Sequence, residues 1–116
     1  MKVLITGSSG LIGSEAVLWF DANGHSVVGV DANVRREFFG SHGDTSGTLN
    51  YLRAHAPTFR HLSLDVRHRE AIFALWKEVR PDLVIHCAGQ PSHYLYMLRP
   101  LDDFDVNVQG TMNALE

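Results

Sequence analysis

A doubly wound α/β fold is predicted for this chain by three features of its sequence. Short apolar runs alternate with stretches of helical periodicity, a glycine-rich turn joins the first run to the first helix, and an acidic residue closes the second run. Strands that alternate with helices imply a parallel sheet covered on both faces and joined by right-handed crossovers. At 116 residues the chain has material for one compact domain with a core of its own.

The elements follow in order. Lys2 to Thr6 is a continuous apolar run ending at Gly7, the pattern of a strand buried on both faces. From Leu11 to Ala22 the positions Leu11, Ile12, Ala16, Leu18, Trp19 and Phe20 recur at helical spacing, and Gly24 supplies a stop. Ser26 to Asp31 is a second β-branched run. Between Ala32 and Pro57, Gly40, Gly43 and Gly47 with their polar neighbours predict a loop, followed by a short helix over Thr48 to His55. A third strand is predicted around Phe59 to Leu64. Arg69 to Arg80 is an amphipathic helix with Ile72, Phe73, Leu75, Trp76 and Val79 on its apolar side, ended by Pro81. Asp82 to Ala88 reads as a fourth strand, and Pro100 to Glu116 as one last helix with proline in its first turn.

Composition narrows the functional classes. Hydrophobic residues are 45% and charged residues 20% of the chain, an ordinary globular balance. A net charge of −3 offers no basic surface to nucleic acid, and no apolar run approaches the ~20 residues of a membrane helix. Met1 to Ile5 runs straight into the glycine turn, without the length or cleavage site of a signal peptide. One cysteine, Cys87, excludes an internal disulfide and suits a reducing compartment. Neither nucleic acid nor membrane is therefore expected as a partner, and a cytoplasmic location is expected by elimination.

The most informative stretch is Thr6-Gly7-Ser8-Ser9-Gly10-Leu11-Ile12-Gly13. It lies where a strand ends and a helix begins, the setting in which a glycine motif binds a dinucleotide rather than merely turning the chain. Gly7 permits the sharp turn, Gly10 lets a pyrophosphate approach the backbone, and Gly13 lets helix and strand pack closely. Free N–H groups and the positive dipole end of the helix then face the phosphates. Asp31 follows Gly13 by 18 residues, near the ~20-residue interval expected of the acid that accepts from the adenine ribose hydroxyls. A carboxylate there repels a 2′-phosphate, so NAD is expected in preference to NADP. Asn33 and Arg35 join the candidate cofactor-binding set, and Arg35 and Arg36 are the residues that could instead pair with a 2′-phosphate. The pattern is that of a Rossmann-type domain.

Taken with three further segments, the chain resembles the extended short-chain dehydrogenase/reductases, the NAD-dependent epimerase/dehydratase group. Leu64-Asp65-Val66-Arg67 is similar to the segment whose acid and next residue contact adenine. His86-Cys87-Ala88-Gly89-Gln90 resembles the stretch that runs along the cofactor's ribose and diphosphate. Asn107 to Asn113 is similar to the family's Asn-x-x-Gly-Thr-x-Asn helix, in which the first asparagine supports the catalytic tetrad. Ala88 to His93 and the Phe38-Phe39-Gly40 loop are most similar to the branch of CDP-tyvelose and CDP-paratose 2-epimerases. The resemblance implies a cofactor-binding set of Gly7, Ser9, Gly10, Leu11, Ile12, Gly13, Asp31, Asn33, Arg35, Asp65, Val66, Ala88, Gly89 and Gln90. It assigns Asn107 as the only tetrad member present, with no metal. It also implies a nucleotide-sugar substrate that is transiently oxidised, its hydride passing to NAD and returning. In that fold the strand order is 3-2-1-4, here incomplete at four strands.

The family's general base is a Tyr followed four residues later by Lys. Here Tyr51, Tyr94 and Tyr96 are followed at that distance by His55, Leu98 and Pro100. The chain is therefore expected to be a piece of a longer protein, inactive alone, since loss of an acid–base group removes ~10²–10⁴-fold in rate. A non-catalytic NAD(H)-sensing module is the rival reading, and a structural domain with a vestigial turn is a third. The remaining residues invite plainer assignments. His86 and His93 lack a third convergent ligand and are read as structural or solvent-facing. Cys87 is a small residue at a strand end, Trp19 and Trp76 are core, and Ser92, Tyr94 and Tyr96 belong to a loop or the border of a sugar site. The uncharged run Leu83-Val84-Ile85 would lie at a sheet edge, so self-association is expected.

Overall fold

The computed structural model describes all 116 residues. Strands β1 (Lys2–Thr6), β2 (Ser26–Val30), β3 (Arg60–Leu62) and β4 (Leu83–His86) form one sheet in the order β3-β2-β1-β4. Every pairing is parallel, with Thr6 opposite both Val30 and His86. The doubly wound α/β class and the 3-2-1-4 order are as expected.

Alternation along β1 and β2 divides the core in two, because successive side chains leave opposite faces of a strand. Leu4, Val28 and Val30 point to one face, where Ile72, Leu75 and Val79 of helix α4 (Arg69–Val79) and Val66 cover them. Val3, Ile5 and Val27 point to the other, beneath Val17 of α1 (Leu11–Ala22) and Leu52 of α3 (Ser46–His55). Val3, Leu4 and Ile5 are fully buried, which is what a continuous apolar run on a central strand requires.

Several expectations need correction. The stretch after β2 is not simply a loop: α2 (Val34–Phe39) and a 3₁₀ turn (Gly40–Gly43) occupy it, and α3 begins at Ser46 rather than Thr48. Asn33 opens this segment in the left-handed conformation at φ 54°, which asparagine tolerates better than most residues. Its side chain accepts from the Thr45 amide and hydroxyl, both at 3.0 Å, and donates to Asp44 at 2.8 Å. These bonds secure the chain where periodicity is uninformative. Strand β3 is only three residues long, because the Leu64 amide turns back to the Leu62 carbonyl at 3.0 Å. Trp19 is 58% exposed and is not a core residue. It lies edge-on against the half-buried Phe20, with ring centroids 4.8 Å apart. Leu11 and Ile12, at 79% and 68% exposure, likewise stand outside the core. Trp76 does pack against the α4 side of the core.

The last helix is not uniform. After the short α5 (His93–Leu98), α6 (Pro100–Phe104) passes into a π-helical segment (Asp105–Gln109) and then α7 (Gly110–Leu115). A π segment widens the helix by one residue per turn and turns the side chains beyond it to a new direction. Here Val106 stays buried, while Asn107, Thr111 and Asn113 are carried toward the loops that follow β3 and β4. No helix is long and apolar enough to cross a membrane.

Candidate functional site: a cleft at the carboxyl ends of the strands

The carboxyl ends of all four strands open on one cleft of about 550 Å³. In open parallel sheets this is where ligands bind, at the point where strand order reverses. Here the reversal lies between β1 and β4.

The turn after β1 is shaped by backbone proximity. Gly7 has φ +66° and a Cβ on it would come within 2.7 Å of the Ala88 amide nitrogen. A Cβ on Gly13 would meet the Gly7 carbonyl oxygen at 2.1 Å. The loops after β1 and β4 and the start of α1 are thus in contact main chain to main chain. The first amide of α1 to bond back is that of Ser14, to Gly10 at 2.9 Å. The amides of Leu11, Ile12 and Gly13 precede it at the mouth of the helix, where N–H groups lack helical partners. Gly7, Gly10, Leu11, Ile12 and Gly13 all line the cleft. The exposure of Leu11 and Ile12 is therefore exposure to the cleft. Ser9 lies behind it, 3% exposed, with a hydroxyl that has no partner.

Asp31 follows β2 and lines the cleft. Its Oδ2 accepts from the Ser9 amide at 3.1 Å and its Oδ1 from the Asn33 amide at 2.7 Å. One carboxylate thereby fixes the glycine turn and the start of the next loop, while each oxygen keeps a lone pair for a ligand. Arg35 also lines the cleft, with its guanidinium 5.6 Å from the Phe39 ring centroid. Arg36 lies 3.8 Å from Asp44. Asn33 is turned to Thr45 and Asp44 and does not line the cleft.

At the end of β3, Asp65 and Val66 form part of the wall. Arg67 grips Asp65 through its Nε at 3.0 and 2.9 Å and a terminal nitrogen at 2.6 Å, with its own amide adding a bond at 2.9 Å. Burial alone would raise the Asp65 carboxyl, but these bonds hold it below the ordinary value of 3.8.

His86 at the end of β4 and Cys87, Ala88 and Gly89 beyond it line the cleft, and burial pushes the Cys87 thiol up, away from a reactive thiolate. Gln90 is buried behind them. Its amide donates to Asn107 Oδ1 at 2.7 Å, and Asn107 Nδ2 returns a bond to its carbonyl at 3.1 Å. Asn107 therefore clamps the loop after β4 from the π-helical segment. Asn113 does the same for the loop after β3, donating to the Val66 carbonyl at 2.8 Å. Thr6, Arg67, Thr111 and Asn113 stand in the quoted motifs, but no contact was assigned to them there; the structure bonds them to His86, Asp65, His86 and Val66 in turn. Thr111 and Asn113 stood within the Asn-x-x-Gly-Thr-x-Asn stretch, but nothing there said what they would hold.

His86 is held below the ordinary histidine value of 6.5 by burial. His61 is held below it by burial and by the charge of Arg53, against the opposing pull of Asp31. At mildly acid pH the unfolded chain therefore binds more protons than the folded one, and stability rises with pH across that window. The contribution of these rings should be complete above about pH 6.5 and decline as pH falls below it. Asp65 acts with the same sign only below its ordinary 3.8. Urea midpoints measured from pH 7.5 to 5.5 should fall toward the acid end; a flat profile would mean that both rings titrate as free histidines.

The family model described as "NAD dependent epimerase/dehydratase family" matches residues 3–116. The chain is 30% identical over its whole length to CDP-paratose 2-epimerase of Salmonella typhi. It is 33% identical to a probable dTDP-glucose 4,6-dehydratase of Sinorhizobium fredii, again over its whole length. It spans about a third of each relative, 32% and 31% of their lengths. Among solved structures, UDP-glucose-4-epimerase from Stenotrophomonas maltophila, with bound NAD and formylated UDP-arabinopyranose, superposes with a TM-score of 0.82 at 30% identity. The NAD complex of Thermus thermophilus UDP-glucose 4-epimerase gives 0.74 at 30%. Both cover 99% of this chain and 32% of the solved one.

Proposed function

The chain belongs to the NAD dependent epimerase/dehydratase family, and on that premise we propose that it is the NAD-holding portion of an enzyme acting on a nucleotide-linked sugar. One observation carries the reading: the helix mouth at Leu11 to Gly13 and the Asp31 carboxylate line one cleft, and Asp31 holds the turn that leads into that helix through the Ser9 amide. That spacing suits the pyrophosphate and adenosine ribose of one dinucleotide. The close main-chain packing that glycine alone permits at positions 7 and 13 holds this turn against the start of α1, which suits the same ligand.

In this reading Gly7 to Gly13 receive the pyrophosphate, Asp31 accepts from the ribose hydroxyls, and Arg35 frames that end, while Asn33 secures the adjoining loop through Thr45 and Asp44. Asp65 and Val66 border the adenine. Ala88 and Gly89 run along the second ribose, backed by the buried Gln90, and Asn107 keeps them there. Bound NAD supplies a reversible hydride acceptor for a sugar carbinol. The side chains that move the sugar's proton are not among these residues, because no tyrosine here has a lysine four positions on. The 2-epimerase branch is the finer proposal, supported by the Ala88 to His93 stretch.

Calorimetric titration of the folded chain with NAD should show weak one-to-one binding, together with no turnover of nucleotide sugars by the chain alone. Absence of binding at millimolar NAD in a cooperatively folded sample would overturn the reading.

Self-association belongs to the same proposal. Strand β4 is an edge of the sheet, with Leu83 36% exposed and no charge through Ile85, and such an edge offers unpaired N–H and C=O groups to a second copy. Sedimentation should show concentration-dependent association that Val84→Lys reduces. Monomers at every concentration would exclude it.

A further inference from the structure

His86 ends β4 with both ring nitrogens engaged: Nδ1 lies 2.6 Å from Thr6 Oγ1 and Nε2 lies 3.0 Å from Thr111 Oγ1. Counting protons assigns a direction to each contact. Thr111 has one hydroxyl proton, and its oxygen lies 2.6 Å from the Asn107 carbonyl, which can only accept. That proton goes to the carbonyl, so the contact with Nε2 needs a proton on the ring. A neutral imidazole then has none on Nδ1, and the Thr6 hydroxyl must donate to it. Thr6 Oγ1 in turn accepts the Ala88 amide at 3.2 Å. The result is one unbroken sequence of donors: Ala88 N–H to Thr6, Thr6 to His86, His86 to Thr111, and Thr111 to the carbonyl of Asn107. Reversing the ring proton would leave Nε2 and the Asn107 carbonyl competing for the one hydroxyl hydrogen of Thr111.

We propose that His86 is a positioning residue whose imidazole, carrying its proton on Nε2, ties the Ala88 amide at the cleft floor to the π-helical turn that bears Asn107, so that floor and turn move as one unit. The loop after β4 is held twice by this turn. The relay grips Ala88, and the Asn107 side chain grips the Gln90 amide and carbonyl at 2.7 and 3.1 Å. Thr6 is fully buried, so water cannot substitute for its part in the relay. Burial also disfavours a second ring proton, in keeping with the neutral form the count requires. The coupling rests on the cofactor-holding reading above: a dinucleotide that settles on Ala88 is felt at Asn107 without touching it.

The test uses the whole chain and three forms: wild type, Thr111→Val, which deletes the hydroxyl at nearly constant volume, and Thr111→Ser, which keeps it. Nitrogen-15 NMR of the imidazole reports which ring nitrogen holds the proton, and the Ala88 amide resonance reports the far end of the relay. In wild type at pH 7.5 the proton should be on Nε2. Thr111→Val should shift the Ala88 amide and weaken NAD binding by roughly three- to tenfold, the scale of one hydrogen bond, while Thr111→Ser should restore both. A wild-type ring protonated on Nδ1, or on both nitrogens, would overturn the proposal, as would a folded Thr111→Val protein with unchanged Ala88 resonance and NAD affinity. If Thr111→Val fails to fold, the wild-type ring signal decides alone. If wild type binds no NAD, the cofactor reading fails, and the ring and amide resonances still decide the relay.

Discussion

Gly13→Ala should destabilise the chain by about 1–3 kcal/mol, the range for overpacking a rigid site, and remove detectable NAD binding. The added Cβ would lie 2.1 Å from the Gly7 carbonyl oxygen, 2.8 Å from its carbon and 3.0 Å from the Ser8 Cα. All three are main-chain atoms, so no side chain can swing away; the start of α1 must lift off the turn. Two other glycines separate this effect from glycine loss in general. At Gly10 a Cβ comes no closer than 3.2 Å to its nearest neighbour, the Gly7 oxygen. Gly10→Ala should therefore keep most of the stability while obstructing the approach of a pyrophosphate. At Gly47, within α3, nothing lies within 4 Å, and alanine there should raise stability by up to about 1 kcal/mol through helix propensity. Urea denaturation and calorimetry on the three variants supply the comparison. A Gly13→Ala protein with wild-type midpoint and affinity would refute the packing of the turn described above.

Asp31→Ala should lower the ratio of NAD to NADP affinity by tenfold or more. The carboxylate can take two ribose hydrogen bonds, each worth ~1.5–3 kcal/mol to a charged acceptor, and tenfold corresponds to ~1.4 kcal/mol. Its removal also ends the repulsion of a 2′-phosphate, so NAD loses more than NADP. Part of the loss is indirect. Asp31 holds the Ser9 and Asn33 amides, and freeing them loosens the turn that faces the pyrophosphate. Asp31→Asn separates the contributions, since an amide oxygen keeps one acceptor without the charge. Parallel titrations with the two dinucleotides measure the ratio. An unchanged ratio would assign the ribose to Arg35 or Arg36 instead.

The strands and helices that carry the core were legible because their periodicity is decided by burial. Val3 to Ile5 and Val27 to Val30 alternate between two covered faces, and α4 shows its buried stripe directly. Where burial did not decide, the residues misled. Val34 to Phe39 form a helix without a single fully buried residue, so no apolar stripe announces it. Leu11, Ile12 and Trp19 fall at helical spacing but face the cleft or solvent, since spacing cannot tell a core from a ligand surface. The glycine turn and Asp31 were readable because ligand chemistry restricts the residue types that work there. The relay through Thr6, His86 and Thr111 was not. Its members lie far apart along the chain: strand pairing sets Thr6 beside His86, and the π-helical segment that precedes Thr111 is a change in hydrogen-bond register with no composition of its own.

The order of the sheet has a consequence for how the molecule comes into being. Strand β1 is made before the other three, yet it lies between β2 and β4, and its pairing with β4 joins Thr6 to His86, 80 residues on. Until β4 exists, Val3, Leu4 and Ile5 have one open flank, and the cleft lacks the wall that Ala88 and Gly89 provide. Contacts so distant in sequence must overcome the entropy of closing a long loop before they contribute, which slows folding. The nascent chain therefore carries its most apolar segment incompletely paired for the longest time. A ligand held between the ends of β1 and β4 can bind only the closed arrangement and so draws the population toward it. In this chain the cleft is also the seam along which the fold is closed.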